Sequence, residues 1–105
     1  MNEKIINIAK EFSKYPGPRY ITLGPNSGEK FRKNILVPAF TNYESVTVIL
    51  DGTLGYGSSF LEEAFGGIVR EEGLDKQKIL DSIKFISTEE PELIDEIREY
   101  ISNAC

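Results

Sequence analysis

The sequence predicts a small α/β domain in which a mixed or mostly parallel four-stranded sheet packs with three helices. Strand-like segments alternate with segments that have the period of amphipathic helices, at 29–40, 59–72 and 90–102. The run at 46–50 is apolar at nearly every position, which is typical of a central strand with both faces covered. The cover would be helices on both faces, or helices on one face and another partner on the second.

Four segments rich in β-branched or aromatic residues predict the strands, at 4–9, 19–23, 46–50 and 82–86. Two prolines and a glycine at 15–18 break the chain between the first two strands. We expect these two strands to pair antiparallel as an irregular hairpin. The later strands are separated by helices, and helical crossovers imply parallel neighbours.

The predicted helix at 29–40 has two candidate caps. Asn26 and Glu29 have the spacing of a capping box, and Ser27 is the competing N-cap residue. Pro38 is expected to kink this helix or to end it early, because proline lacks an amide donor and clashes with the preceding turn.

The predicted helix at 59–72 contains Gly66-Gly67, and interior glycines cost about 1 kcal/mol each relative to alanine. Such a pair indicates close backbone packing against the sheet or a partner. Gly73 is expected to end the helix, and a short helical turn is expected at 75–81. The polar face of the helix is predicted to consist of Glu62, Glu63, Arg70, Glu71 and Glu72.

The chain has 105 residues, of which 40% are apolar and 28% are charged, as expected of a soluble globular protein with one domain over 1–105. Its apolar runs are far shorter than the ~20 residues that cross a bilayer, and its amino-terminal residues lack the pattern of a signal peptide. The only cysteine is Cys105. We therefore expect a cytoplasmic protein with no membrane segment and no disulfide framework.

Histidine is absent from the sequence. This excludes Ser-His-Asp and Cys-His catalysis and the zinc sites that need Cys/His clusters. We predict a non-enzymatic protein with no catalytic residue, no metal site and no cofactor. An enzyme that uses Asp51, Tyr56 and a serine is a weaker interpretation, because 57–61 lacks the second glycine of a G-x-S-x-G nucleophile turn.

The net charge of −5 is unevenly distributed along the chain. Residues 1–38 carry seven Lys or Arg against three Glu, whereas 39–105 carry five basic residues against fourteen acidic ones. The acidic balance argues against nucleic acid as the main partner, because phosphate contacts need clustered Lys and Arg. The basic part would face an acidic partner or, as we favour, form an ordinary solvated surface.

The turn after the strand at 46–50 holds the candidate binding residues, since ligands of open α/β sheets bind at the carboxyl ends of strands. Asp51 would orient a hydroxyl group or a magnesium ion of a small ligand or nucleotide. Alternatively it would cap the loop amides, which is the interpretation we favour. The predicted partner- or ligand-binding residues are Asp51, Gly52, Thr53, Tyr56, Gly57 and Ser58.

Two serines, Ser58 and Ser59, precede the apolar face of the helix. Ser59 and Glu62 have the spacing of a capping box worth ~1 kcal/mol, so we favour a capping role for Ser59 over a switching role. A phosphate at this helix start would meet free amides and the positive end of the helix dipole. Its charge would also be repelled by Glu62 and Glu63.

The central stretch resembles the bacterial STAS-like domain family, which is related to the STAS domains of anti-sigma-factor antagonists. The likeness rests on Asp51, the loop at 52–57, Ser59-Phe60 and the Gly66-Gly67 pair. The segment Ser-Gly-Glu-Lys-Phe-Arg at 27–32 matches a second family motif. The resemblance covers roughly residues 1–100 and implies a small STAS-like fold.

The resemblance implies a regulatory protein-interaction module that binds a histidine-kinase-like ATPase or another regulator. The contact would be made by the loop at 52–58 and the exposed flank of the following helix, in a monomer or weak dimer without nucleic acid or membrane partners. In the antagonists the loop reads Asp-Ser-Ser-Gly, and its first serine is phosphorylated. That serine corresponds to Ser58, although Gly57 replaces the Asp and Phe60 replaces the Gly. Whether Ser58 is modified or merely exposed stays open.

Overall fold

The computed structural model describes residues 2–105 and shows an α/β domain built on a three-stranded parallel sheet. The strands are β1 (Glu3–Asn7), β2 (Ser45–Ile49) and β3 (Ile83–Ile86). They lie in the order β1-β2-β3, and β2 pairs in parallel with both neighbours. The α/β class is confirmed, whereas the predicted four strands are one too many.

Within residues 2–105 five helices accompany the sheet, where the sequence predicted three helices and a short helical turn at 75–81. That turn is present as the helix Lys76–Ser82. The fifth helix, Ile8–Glu11, was not predicted and replaces the end of the strand predicted at 4–9, where the local pattern is too brief to give a clear helical period. The helices are α1 (Ile8–Glu11), α2 (28–42), α3 (58–70), α4 (Lys76–Ser82) and α5 (Glu92–Asn103). None of the helices in the described part of the chain is long and apolar enough to cross a membrane.

The predicted strand at 19–23 is wrong, because a short 3-10 turn, Ile21–Leu23, lies there. The backbone of this segment bonds to the first turn of α2, not to a strand. The carbonyl groups of Pro18 and Arg19 accept hydrogen bonds from α2 amides, and the first amide of the turn donates to the Glu29 carboxylate at 2.9 Å. The predicted antiparallel hairpin is therefore absent among residues 2–105, and local β propensity has been overridden.

One face of the sheet forms the core with α2, α3 and α5. Ile6 and Val48 are neighbours in the register and are fully buried there. On the opposite face the outer strands are exposed, because Ile5 is 54% exposed and Lys84, two strands away in the same row, is exposed as well, whereas Thr47 is only 7% exposed. Between them Thr47 donates a hydrogen bond to Glu3. Of the two arrangements the sequence allowed, the structure has helices on one face only.

α2 continues past Pro38 to residue 42, so this proline does not end the helix early. A wide π-helical turn, Arg32–Leu36, precedes it, and the Val37 amide bonds to the carbonyl group of Arg32, five residues back. The widened turn relieves the clash that proline makes with a regular preceding turn. At the other end Ser27 caps α2, since its hydroxyl accepts from the Lys30 amide at 3.0 Å.

α3 also contains a wide π-helical turn, Glu62–Gly66, and the wide turns of α2 and α3 contact each other. The two helices approach each other closely near their amino ends. A Cβ atom on Gly28 would lie only 2.5 Å from the Phe60 carbonyl oxygen. α3 ends at residue 70, and the turn that follows it closes at Gly73, which has a φ of +72° and donates its amide to the Val69 carbonyl oxygen.

Gly28→Ala is expected to destabilise the protein by about 2 kcal/mol, because the added methyl group meets rigid backbone of α3. The matched control is Gly57→Ser, whose Cβ enters open space at a φ of −77° and whose hydroxyl can cap α3. The control should be neutral or slightly stabilising. Urea denaturation of both variants measures the difference, and equal midpoints would contradict the close α2–α3 approach.

Candidate functional site

Asp51 follows β2 directly and ties two loops together at the carboxyl end of the sheet. Its Oδ2 accepts from the amide of Thr88 at 3.1 Å and from the hydroxyl of Thr88 at 2.8 Å, and its Oδ1 accepts from the amide of Glu89 at 2.9 Å. Both carboxylate oxygens are therefore engaged by the loop after β3. Asp51 therefore caps loop amides, but these belong to the loop after β3 and not to the turn that follows Asp51 itself.

The bonds to Asp51 are reciprocated by Glu89, whose Oε1 accepts from the Gly52 amide at 3.0 Å. Gly52 has a φ of +96°, which favours glycine, and a Cβ atom there would lie 3.1 Å from the Ala9 side chain. The start of the loop between β2 and α3 is thus held between α1 and the loop after β3.

Hydrogen bonds lower the pKa of the Asp51 carboxyl below its ordinary value. The amide of Glu89 contributes most, followed by the amide and hydroxyl of Thr88, and all three stabilise the ionised form. Asp51 is consequently a carboxylate with fixed structural partners across the neutral pH range.

The side chain of Tyr56 anchors the loop to the end of the β2 segment. Its hydroxyl donates to the Leu50 carbonyl oxygen at 2.7 Å, and its ring lies 5.9 Å from the ring of Phe60. Burial raises the pKa of the Tyr56 phenol to about 12. A phenol that stays protonated cannot act as a general base near neutral pH.

The tip of the loop is exposed although its backbone is fixed. The Leu54 amide donates to the Lys14 carbonyl oxygen at 2.9 Å, and the Gly55 amide donates to the Thr53 hydroxyl at 3.3 Å. The Leu54 side chain is nevertheless 81% exposed. The loop therefore presents an apolar side chain to solvent from an ordered backbone.

The helix begins one residue earlier than the sequence predicted, so both serines lie within its first turn. α3 begins at Ser58, and its N-cap residue is Gly57, with no side-chain cap. The predicted capping box of Ser59 and Glu62 is wrong, because Glu62 bonds to arginines instead of to a backbone amide. Charged guanidinium donors make stronger hydrogen bonds to a carboxylate than neutral amides do. Both serine side chains are exposed.

A buried ion pair joins α2 to α3 and was not expected from the sequence. The Nη1 atom of Arg32 lies 2.5 Å from Oε2 of Glu63, and it also donates to the Glu63 carbonyl oxygen at 3.0 Å. Both side chains are only 3% exposed. The Nε atom of Arg32 bonds to Glu72 at 2.8 Å. Glu63, predicted to lie on the polar face of its helix, is therefore in the interior.

Two further arginines complete the charge cluster, which we define as Arg19, Arg32, Arg70, Glu62, Glu63 and Glu72. Arg19 bonds to Glu62 at 2.5 Å and to Glu63 at 3.0 Å, and Arg70 bonds to the same two carboxylates. Burial alone would raise the pKa of Glu62, but the hydrogen bonds from Arg70 and Arg19 outweigh it and lower that pKa. No buried side-chain polar atom within residues 2–105 lacks a hydrogen bond.

The Gly66-Gly67 pair makes room for this cluster. A Cβ atom on Gly67 would lie 2.6 Å from Nη1 of Arg32, and one on Gly66 would lie 2.7 Å from a carboxylate oxygen of Glu62 and 3.3 Å from the Tyr100 carbonyl oxygen. Of the predicted close backbone packing only the contact with the Tyr100 carbonyl of α5 is present, and the other neighbours are charged side chains and not the sheet. The glycine pair was the one sequence signal that pointed to the cluster.

A cleft of about 470 Å³ lies at the opposite end of the domain, near the amino end of β2. It is lined by residues from α2, α4 and the connection between α2 and β2, including Phe40, Tyr43 and Lys78. The loop at 51–57 does not contribute to it. The predicted binding residues thus lie on the loop before α3 and, for Ser58, at the first position of that helix. Within 2–105 no group of three or more His, Cys, Asp or Glu is placed to hold a metal ion.

The parallel sheet with helices on one face, and the ordered loop before α3, define a small STAS-like α/β domain. A family model described as a STAS-like domain of unknown function (DUF4325) matches residues 27–93. The match covers more than half of the chain, so the protein belongs to this family. It includes the Ser-Gly-Glu-Lys-Phe-Arg motif and the stretch from β2 through α3. Searches of curated proteins and of solved structures gave no significant match.

Arg32→Leu is expected to lower the free energy of unfolding by about 3 kcal/mol, because it leaves Glu63 buried with fewer cationic partners. The control is Lys33→Met, which removes a cation from the exposed Lys33–Glu29 pair and should cost less than about 0.5 kcal/mol. Urea denaturation measures both. A cost for Arg32→Leu no greater than that of the control would mean that the ion pair does not hold α2 to α3.

The depressed pKa of Asp51 gives a defined pH dependence. Because the native pKa lies below the ordinary value of 3.8, the Asp51 contribution to stability is present above pH ~4 and is lost as pH falls through the native pKa. The stability difference between the native protein and Asp51→Ala should therefore shrink in acid. Carboxyl NMR titration should place the pKa below 3.8, and Thr88→Val should raise it partway. An unshifted pKa would contradict this.

Proposed function

We propose that this protein is a non-enzymatic regulatory module that binds a protein partner through the loop at 51–57 and the first turn of α3. The observation that carries the proposal is the loop itself, which is anchored by the side chains of Asp51 and Tyr56 and by the Leu54 amide while the Leu54 side chain is 81% exposed. A loop ordered before binding loses little conformational entropy when a partner covers it.

The partner we propose is a histidine-kinase-like ATPase or another regulator, as for the related anti-sigma-factor antagonists. Membership of the STAS-like family supports a regulatory role, and the mostly structural duties of Asp51 and Tyr56 leave the loop surface free for contacts. We place the protein in the cytoplasm, which suits a chain with a single cysteine, Cys105, and propose that it is a monomer or weak dimer.

Ser58 is the proposed phosphorylation site. It is the first residue of α3 and is exposed, so a phosphate on it would meet free amides at the helix start. The sequence suggested repulsion from Glu62 and Glu63, but Arg19 and Arg70 pair with both carboxylates. The expected repulsion is therefore weaker than the sequence alone implies.

The alternative, a small-ligand or nucleotide site at the turn after Asp51, has less support. Both oxygens of Asp51 already accept hydrogen bonds from Thr88 and Glu89, so a ligand would have to break the tie between the two loops. Thermal-shift screening with nucleotides and divalent metals tests this alternative, and a stabilising ligand whose effect is lost in Asp51→Asn would favour it.

Leu54→Asp is expected to weaken partner binding at least about tenfold, because a charge replaces the exposed apolar side chain at the loop tip. Calorimetry with the histidine-kinase-like ATPases of the same genome measures the effect. The control is Tyr43→Asp, which places the same charge at an exposed aromatic position beyond the amino end of β2. Binding that survives Leu54→Asp would contradict the proposal.

Intact-mass analysis after incubation with the histidine-kinase-like ATPase should show a phosphate that Ser58→Ala abolishes.

A further inference from the structure

Exposed apolar side chains are concentrated at one end of the domain. Among residues 2–105, eight large apolar or aromatic side chains are exposed, and five of them lie on the 15–23 segment or at the tip of the loop before α3. Single exposed apolar residues are ordinary, but such a concentration marks an interaction surface. We call these five residues the apolar patch: Tyr15, Tyr20, Ile21, Leu23 and Leu54, which are 45–81% exposed.

The patch belongs to an ordered part of the molecule. The Gly17 amide donates to the Asn26 carbonyl oxygen at 2.8 Å, and a Cβ atom on Gly17 would lie only 2.3 Å from the Pro25 carbonyl oxygen. The bond from the Leu54 amide to Lys14 joins this segment to the loop before α3. The apolar side chains are therefore held outward by backbone contacts, and they precede the start of the family match at residue 27, apart from Leu54.

The charges beside the patch differ on its two sides. Lys10, Lys14 and Lys30 are exposed and make no ion pair with any residue of the described chain, and we call them the basic flank. On the other side of the loop, Glu89 bonds to the Gly52 amide and Glu90 is exposed. On the side of the 15–23 segment a partner that covers the patch would thus meet these three lysines and Glu29, whose carboxylate is already bonded to the Ile21 amide and to Lys33.

We propose that the apolar patch and the basic flank form one docking surface, and that its occupant is an acidic segment of a partner protein, with apolar side chains set between carboxylates. The inference rests on the proposed function in that Leu54 belongs to both surfaces. It adds the chemistry of the partner and the 15–23 segment as a second contact region. Carboxylates of the partner would pair with the unpartnered lysines while its apolar side chains cover the patch.

Two other occupants fit less well. A flat anionic membrane would also approach Glu89 and Glu90, in a protein whose net charge is −5. A second copy of this chain would offer its most acidic helix, α5, but Leu93, Ile97 and Ile101 of that helix are buried in its own core. The outer side of α5 therefore has carboxylates without the apolar side chains that the patch requires.

The test places the photo-reactive residue p-benzoylphenylalanine at position 23, 54 or, as a control, 43 of the full chain in its native host, followed by mass spectrometry of the adducts. We expect positions 23 and 54 to label the same segment of one partner protein, rich in Asp, Glu and apolar residues. Lys14→Glu with Lys30→Glu should reduce the yield about tenfold. Lys78→Glu with Lys84→Glu, the same charge change at exposed positions elsewhere, should not.

Each other outcome overturns the inference. Adducts between copies of this chain would assign the surface to self-association, and sedimentation with phosphatidylserine vesicles that depends on Lys14 and Lys30 would assign it to a membrane. A labelled segment without acidic residues would contradict the proposed chemistry. Labelling from position 54 but not from 23 would refute the extended surface and leave the proposed function intact, whereas labelling from neither position would refute both.

Discussion

The ion pair between Arg32 and Glu63 sets the relation of α2 to α3, on which the rest of the domain depends. A buried arginine and a buried glutamate are tolerated only because each has additional hydrogen-bond partners, and the wide turns of both helices bring those partners together. Gly67 leaves space for the guanidinium group. The pair contributes less to net stability than its distance suggests, because burying two charges is costly, but it admits few alternative packings of the two helices.

The placement of the candidate site follows from this packing. With α3 fixed against α2, the first turn of α3 and its two exposed serines face outward beside the loop that Asp51 and Tyr56 hold. Arg19 reaches from the 15–23 segment to Glu62 and Glu63, so the apolar patch is tied to the same charge cluster. Two regions distant in sequence are thereby presented on one end of the domain.

Much of the fold was predictable because its elements carry strong local signals. β2 has an uninterrupted β-branched run, α3 and α5 have clear apolar stripes, and Gly73, the predicted helix stop, closes the turn just after α3 with a positive φ. The wrong predictions occurred where a local sequence signal competes with residues distant in the sequence. The 19–23 segment has β propensity, yet its amide and carbonyl groups bond to α2, and Glu62 has capping spacing, yet two arginines take its carboxylate.

The sequence by itself determined the α/β class, the central strand, the family motifs and the turn in which the candidate site lies. It did so because periodicity, glycine and proline act over a few neighbouring residues. Only the tertiary structure decided that the sheet has three strands with helices on one face only, that Asp51 is occupied by the loop after β3, and that Arg32 meets Glu63. These features depend on contacts between residues about 30 to 40 positions apart, which no local pattern specifies.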